Sequence, residues 1–110
     1  LWDRQEILPE VKEYFEKLKK LCEENNIELV VITTPIPQET MEKYQDSFEE
    51  ANAYFTEYMA KQGIPYYNYN YIDTESLDKS LNGFSDYEGH MYEDEAEIFS
   101  AELGKMLAGK

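Results

Sequence analysis

Residues suited to metal or redox chemistry are scarce in this chain. There is one cysteine, Cys22, and one histidine, His90, in 110 residues. A single thiol excludes an intrachain disulfide and any cysteine-rich metal centre, and a zinc site needs more imidazole or thiolate ligands than are present. Cationic residues are also few: 10 Lys and Arg stand against 24 Asp and Glu, for a formal net charge of -14. A field of that sign repels phosphate backbones, so nucleic acid is not an expected partner. No apolar run approaches the ~20 residues of a membrane span, and no membrane insertion is expected of this segment. Neither a P-loop nor a Gly-rich dinucleotide pattern occurs. An EF-hand is excluded as well, because Gly89 is the fourth residue from Asp86 and not the sixth. No cofactor and no metal is therefore expected.

What is present suffices for a fold. Hydrophobic residues make up 42% and aromatics 15%, which argues against disorder despite the acidity. At this length residues 1–110 form one domain or part of one. The chain begins with Leu1 and not Met, so a piece of a longer polypeptide is expected. Residues 1–8, with apolar Trp2, Ile7 and Leu8, have no clear period.

Pro9 suits the first turn of a helix, where its missing N–H costs nothing. Val11, Phe15, Leu18 and Cys22 then recur at helical spacing, with Tyr14 and Leu21 beside them, and predict a helix from about Pro9 to Glu24. Cys22 falls on its apolar side, and Asn25-Asn26 suits a left-handed end. Ile27 to Thr33 (IELVVIT) is β-branched and apolar on both faces, as in a parallel strand buried between helices. Thr34-Pro35-Ile36-Pro37 ends it. Met41, Tyr44, Phe48, Ala51, Phe55 and Tyr58 predict one long helix from Gln38 to Gln62, stopped by Gly63. Ile64 to Ile72 (IPYYNYNYI) is a second strand, with Tyr67, Tyr69 and Tyr71 on one face. Its polarity places it near a sheet edge. Asp73 to Ser85 reads as a loop in which Leu77, Leu81 and Phe84 form one helical turn. Ala96, Phe99, Leu103 and Met106 or Leu107 predict a last helix to about Ala108, with Glu93, Asp94, Glu95 and Glu97 crowding its N-terminus.

The order is α-β-α-β-α. A strand–helix–strand unit of this length implies parallel strands and a right-handed crossover. Two parallel strands make an incomplete sheet, so either further strands lie upstream or an open edge pairs with another molecule, for example in a homodimer. In open α/β sheets ligands bind beyond the carboxyl ends of the strands. Here those ends lead to Thr33–Pro37 and to Asp73-Thr74-Glu75, and the loop with Asp86, Glu88 and His90 runs from the second. A neutral imidazole can take a proton from a nucleophile while a carboxylate on its other nitrogen fixes the tautomer. His90, Asp86 and Glu88 are the candidate catalytic residues, and the helix that follows is expected to favour neutral His90.

Phe84-Ser85-Asp86, Gly89-His90-Met91, then Ala96, Phe99-Ser100 and Leu103 resemble the last block of SGNH/GDSL-type hydrolases, and in particular their bacterial extracytoplasmic members. The likeness covers most of this chain and the C-terminal half of the family domain. It implies a partial flavodoxin-like, SGNH-type three-layer α/β fold, with His90 as base and Asp86 as its orienting acid. It also implies an esterase or acyltransferase acting on a small-molecule or carbohydrate acyl ester at the cell envelope. The family's acid usually precedes its histidine by three residues. That position is Tyr87 here, with Asp86 four before and Glu88 two before, so which acid partners His90 stays open. Tyr92 stands where the family often has Asn, and Glu95 where it often has Gly. No Gly-Asp-Ser nucleophile block occurs, and Ser47, Ser76, Ser80 and Ser85 lack that context. The chain is expected to be inactive alone. The alternative is a non-catalytic α/β interaction module that contacts its partner through Tyr67, Tyr69 and Tyr71.

Overall fold

The computed structural model describes residues 7–72, 74 and 76–109. The elements run α1 (Pro9–Glu24), β1 (Val31–Thr33), α2 (Gln38–Lys43), α3 (Gln45–Gln62), β2 (Tyr66–Asn68), a 3-10 turn (Leu81–Gly83) and α4 (Glu93–Ala108). The chain divides into two compact units. One comprises Leu1–Ile32 and Asp46–Tyr67, the other Thr33–Gln45 and Asn68–Lys110. Each strand contributes residues to both units.

The first unit carries α1 and α3. Phe15 meets Tyr58 with ring centroids 6.1 Å apart, and Lys19 Nζ donates to Gln62 Oε1 at 3.0 Å. Cys22, Met59 and Ile64 are buried here. Both helices stop in the same way. Asn26 has φ 55° and Ile27 N–H returns to the Cys22 carbonyl at 2.8 Å. Gly63 has φ 70° and Ile64 N–H returns to the Met59 carbonyl at 3.0 Å. Each closure satisfies a terminal carbonyl, as a Schellman end does; Ile64 is buried there, while Ile27 stays exposed. The apolar stripe of α1 is wider than its buried face: Phe15 and Cys22 face inward, but Val11, Tyr14, Leu18 and Leu21 are exposed.

β1 and β2 form a two-stranded parallel sheet. Val31 N–H donates to the Pro65 carbonyl and Tyr69 N–H to the Thr33 carbonyl, each at 3.0 Å. Both strands are shorter than expected, at three residues each. Val31, Ile32 and Thr33 are half-buried and not enclosed, because a parallel sheet is fully buried only when strands and helices cover it on every side. The helix expected over 38–62 is broken at Tyr44, whose φ of -120° and ψ of 35° leave the helical region.

The second unit holds the exits of both strands, α2, the 3-10 turn and α4. Its buried side chains are Pro35, Pro37, Tyr69, Leu77, Phe84 and Phe99. Tyr69 meets Phe99 edge-on, with centroids 5.0 Å apart and planes at 85°. This corrects the reading of Tyr67, Tyr69 and Tyr71 as one exposed face. β2 ends at Asn68 and the chain turns, so the alternation stops; Tyr69 is 2% exposed, while Tyr71 is 48% exposed. Lys79 Nζ donates to the carbonyls of Tyr69 at 2.5 Å and Ile72 at 2.6 Å, and its own carbonyl accepts Gln38 N–H at 2.7 Å. The start of α2 is thereby tied to the segment after β2. Among the described residues no helix is long and apolar enough to cross a membrane.

Candidate functional site

The loop with His90 is closed by backbone bonds at its base. Phe84 and Met91 form an antiparallel bridge, Ser85 N–H donates to the His90 carbonyl at 2.7 Å, and Tyr92 N–H donates to the Gly83 carbonyl at 3.1 Å. Ser85 Oγ also donates to the His90 carbonyl, at 2.9 Å. Within this frame the Asp86 carboxylate has two tasks. Its Oδ1 accepts the N–H groups of Glu88, Gly89 and His90 at 2.9, 3.1 and 3.2 Å. Its Oδ2 is hydrogen-bonded to His90 Nδ1. Gly89 makes the reversal feasible, because its φ of 111° is one that side chains with a Cβ rarely adopt.

The turn after β1 supports the loop, and Asn70 from beyond β2 holds that turn. Gly89 lies against the turn after β1: a Cβ built on it would sit 2.8 Å from Ile36 Cγ2 and 3.4 Å from the Pro35 carbonyl. Thr40 Oγ1 of α2 donates to the Tyr87 carbonyl at 2.7 Å, and the Glu39 carboxylate accepts Leu81 N–H at 3.2 Å. From beyond β2, Asn70 bonds to Thr34 and Ile36. Of the expected meeting of the strand ends with the 86–90 loop, the part from the turn after β1 is observed, at Pro35 and Ile36; Asn70 bonds to that turn and not to the loop. Asp73 and Glu75 lie outside the described residues.

The pair sets its own protonation. The hydrogen bond from His90, with the backbone amides of His90 and Glu88, holds the Asp86 carboxyl at about 2, well below its ordinary 3.8. The same hydrogen bond, with the charge of Asp86 and a smaller contribution from Glu88, raises His90 above its ordinary 6.5. The expectation that the following helix keeps His90 neutral is reversed. α4 begins only at Glu93 and carries Glu93, Asp94 and Glu95 in its first turn, whereas Asp86 touches the ring. Once His90 loses its proton, the Asp86 bond keeps hydrogen on Nδ1 and leaves Nε2 as the basic nitrogen. The imidazole is exposed, with 73% of its side-chain surface open to solvent.

Between the two candidate acids, the structure pairs Asp86 with His90 and leaves Glu88 as an exposed neighbouring charge. One oxygen or nitrogen of each of the three residues lies within 4.8 Å of the others. Exposed acidic groups so placed are common without an ion, and the direct Asp86–His90 bond is the geometry of an acid–base pair. No serine of this unit that the sequence singled out is directed to Nε2. Ser76 Oγ donates to Glu102 at 2.8 Å, Ser80 Oγ to Asp78 at 2.6 Å, and Ser85 Oγ to the His90 carbonyl.

Sequence reading missed Asn70 and Thr40 as supports of this site. Asn70 was legible only as a polar strand residue; its position just past a strand exit was the available signal. Comparison of the chain with protein families, with characterised proteins and with solved structures gives no match.

Proposed function

We propose that the chain is the C-terminal part of an SGNH-like esterase or O-acyltransferase acting on acyl esters, with His90 as general base and Asp86 as its orienting acid. The observation that carries this reading is the Asp86 bond to His90 Nδ1, which leaves Nε2 free in an exposed loop beside the turn after β1. The likeness to SGNH hydrolases in residues 84–103 supplies the reaction class. Asp86 does not itself take the proton; it fixes the ring and stabilises the imidazolium, a contribution worth about 10⁴ in rate where such triads have been dissected. The nucleophile and the oxyanion donors come from outside this chain. Those donors often give the largest electrostatic contribution, so the chain is inactive alone.

The test is the full-length protein. Its sequence upstream of Leu1 must contain a Gly-Asp-Ser block, and His90→Ala must abolish hydrolysis of a chromogenic acetyl ester. Absence of that serine, or full activity in His90→Ala, refutes the reading.

A second reading is a non-catalytic interaction module. It is favoured by the engagement of Ser76, Ser80 and Ser85 in other bonds. It requires that His90→Ala change neither binding nor any activity of the full-length protein. The incomplete sheet also gives a homodimer through the edge of β1 as a proposal; a monomer in light scattering at high concentration rejects it.

A further inference from the structure

Asn70 lies outside the catalytic loop, two residues past β2, yet it holds both sides of the turn that follows β1. Its Oδ1 accepts Ile36 N–H at 2.8 Å, and its Nδ2 donates to the Thr34 carbonyl at 3.2 Å. Nδ2 also donates to Asn68 Oδ1 at 3.1 Å, and the Asn70 backbone N–H donates to that same oxygen at 3.0 Å. The side-chain amide is therefore fixed in rotation by partners on three residues. The turn it holds contains Pro35 and Pro37, which are fully buried, and Ile36, against which the Gly89 backbone lies. Gly89 in turn adjoins His90 and gives one of the three amides that close on Asp86 Oδ1.

We propose that Asn70 is a positioning residue for the Asp86–His90 pair, acting through Thr34, Ile36 and Gly89. By fixing the turn after β1 it fixes the seat of Gly89, and with it the path on which the Asp86 carboxylate meets the imidazole. The catalytic meaning of this coupling rests on the hydrolase reading; the coupling itself is physical and is tested without any activity. Removing the amide breaks three side-chain hydrogen bonds and leaves Ile36 N–H and the Thr34 carbonyl to find other partners. Ile36 is then free to shift, and the close approach at Gly89 relaxes.

The experiment uses isotope-labelled chain and NMR. Two quantities are read: the His90 pKa from its ring resonances, and the hydrogen-exchange rates of the Glu88, Gly89 and His90 amides. Asn70→Ala is neutral for neutral, so the charges acting on the imidazole, Asp86 and Glu88, are unchanged. The His90 pKa is expected to fall toward 6.5, its ordinary value, and exchange at 88–90 to rise by roughly tenfold or more. Asn25→Ala is the control; it removes a cap bond from Asn25 Nδ2 to the Leu21 carbonyl at 2.8 Å and must leave both readings unchanged. Should Asn70→Ala fail to fold, Asn70→Ser, which is too short to span Thr34 and Ile36 together, must give the same shifts in smaller degree. A wild-type His90 pKa with wild-type exchange at 88–90 in a folded Asn70 variant overturns the proposal. So does an equal response in Asn25→Ala, which would make the effect one of general destabilisation. Neither result bears on whether a serine lies upstream, so failure here is distinct from failure of the hydrolase reading.

Discussion

Replacing Gly89 by alanine tests whether the 84–91 loop is built as described. The substitution adds one carbon to a residue at φ 111°. An L-residue held in so sparsely populated a region costs about 1–3 kcal/mol. The new Cβ would also stand 2.8 Å from Ile36 Cγ2 and 3.4 Å from the Pro35 carbonyl. Ile36 belongs to a turn flanked by two fully buried prolines, so it has little room to retreat. Overpacking of this kind adds about 1–3 kcal/mol. The sum, roughly 2–6 kcal/mol, exceeds what a small loop can absorb while keeping three amides on one carboxylate oxygen. If the loop unfolds with the rest, each kcal/mol lowers Tm by about 4–8 °C in domains of about 60–100 residues and by about 2–4 °C in those of about 150–250, so a loss of at least ~6 °C is expected. If the loop opens locally instead, Tm changes little, but Asp86 loses His90 and the His90 pKa falls toward 6.5, its ordinary value. Circular dichroism melting and an NMR titration of the ring read the two cases. Gly104→Ala is the internal control: its added Cβ meets nothing within 4 Å inside α4, and alanine there should stabilise by about 0.5–1 kcal/mol. A Gly89→Ala chain with both wild-type melting and a wild-type His90 pKa would refute the loop geometry.

The remaining predictions concern the charge pair and the core. Asp86 is depressed in the folded chain, so its contribution is complete above its ordinary 3.8 and is lost as pH falls through about 2. His90 is raised, so its contribution is complete below its ordinary 6.5 and is lost as pH rises through its folded value. Exchange at the 88–90 amides, normalised for the intrinsic pH dependence, should therefore be slowest between 3.8 and 6.5. Asp86→Asn should lower the His90 pKa, and salt should shrink the wild-type shift because both groups face solvent; an unchanged pKa in Asp86→Asn contradicts the pairing. Phe99→Ala removes the ring against Tyr69 and should destabilise the chain by about 3–5 kcal/mol in urea unfolding; a loss below about 1 kcal/mol, by the same scale, would mean that α4 is not seated on that ring.

How far the sequence revealed this structure depended on how local each cause was. Pro9 at the start of α1, Asn26 at its end and Gly63 after α3 were readable, because backbone chemistry at single residues decides them. The break at Tyr44 was not. The apolar spacing from Met41 to Tyr58 is continuous, and no glycine or proline marks the site. Tertiary bonds redirect the chain there instead: Thr40 is committed to Tyr87 and Glu39 to Leu81 within one compact unit, while the residues from Asp46 belong to the other. Strand lengths failed for a similar reason. Residues 64–72 alternate as a strand should, but Asn68 and Asn70 use their amides to turn the chain, and Tyr69 goes inward to Phe99. The candidate loop was legible in its residue types. Its supports were not, because an asparagine in a strand-like run looks like an edge signature until the turn it clasps is known.

Asp86 stands four residues before His90, one more than in the hydrolase pattern proposed for this loop, and the loop geometry shows how an acid at that distance reaches the ring. In an extended segment residues three and four apart point to opposite faces, so one added residue matters. Here the segment turns back on itself. The N–H groups at 88, 89 and 90 converge on Asp86 Oδ1, which brings the chain back onto the side chain four residues earlier. Gly89, at φ 111°, lies within this turn, and Oδ2 is left facing Nδ1. Tyr87, which occupies the position where the family pattern has its acid, is 67% exposed, and its carbonyl is held by Thr40. A carboxylate at Tyr87 would have no such ring of amides to orient it. Moving the acid by Asp86→Ala with Tyr87→Asp is therefore expected to leave His90 near 6.5, its ordinary value. A His90 pKa as high as in the wild type would show that proximity in sequence suffices and that the amide ring is dispensable.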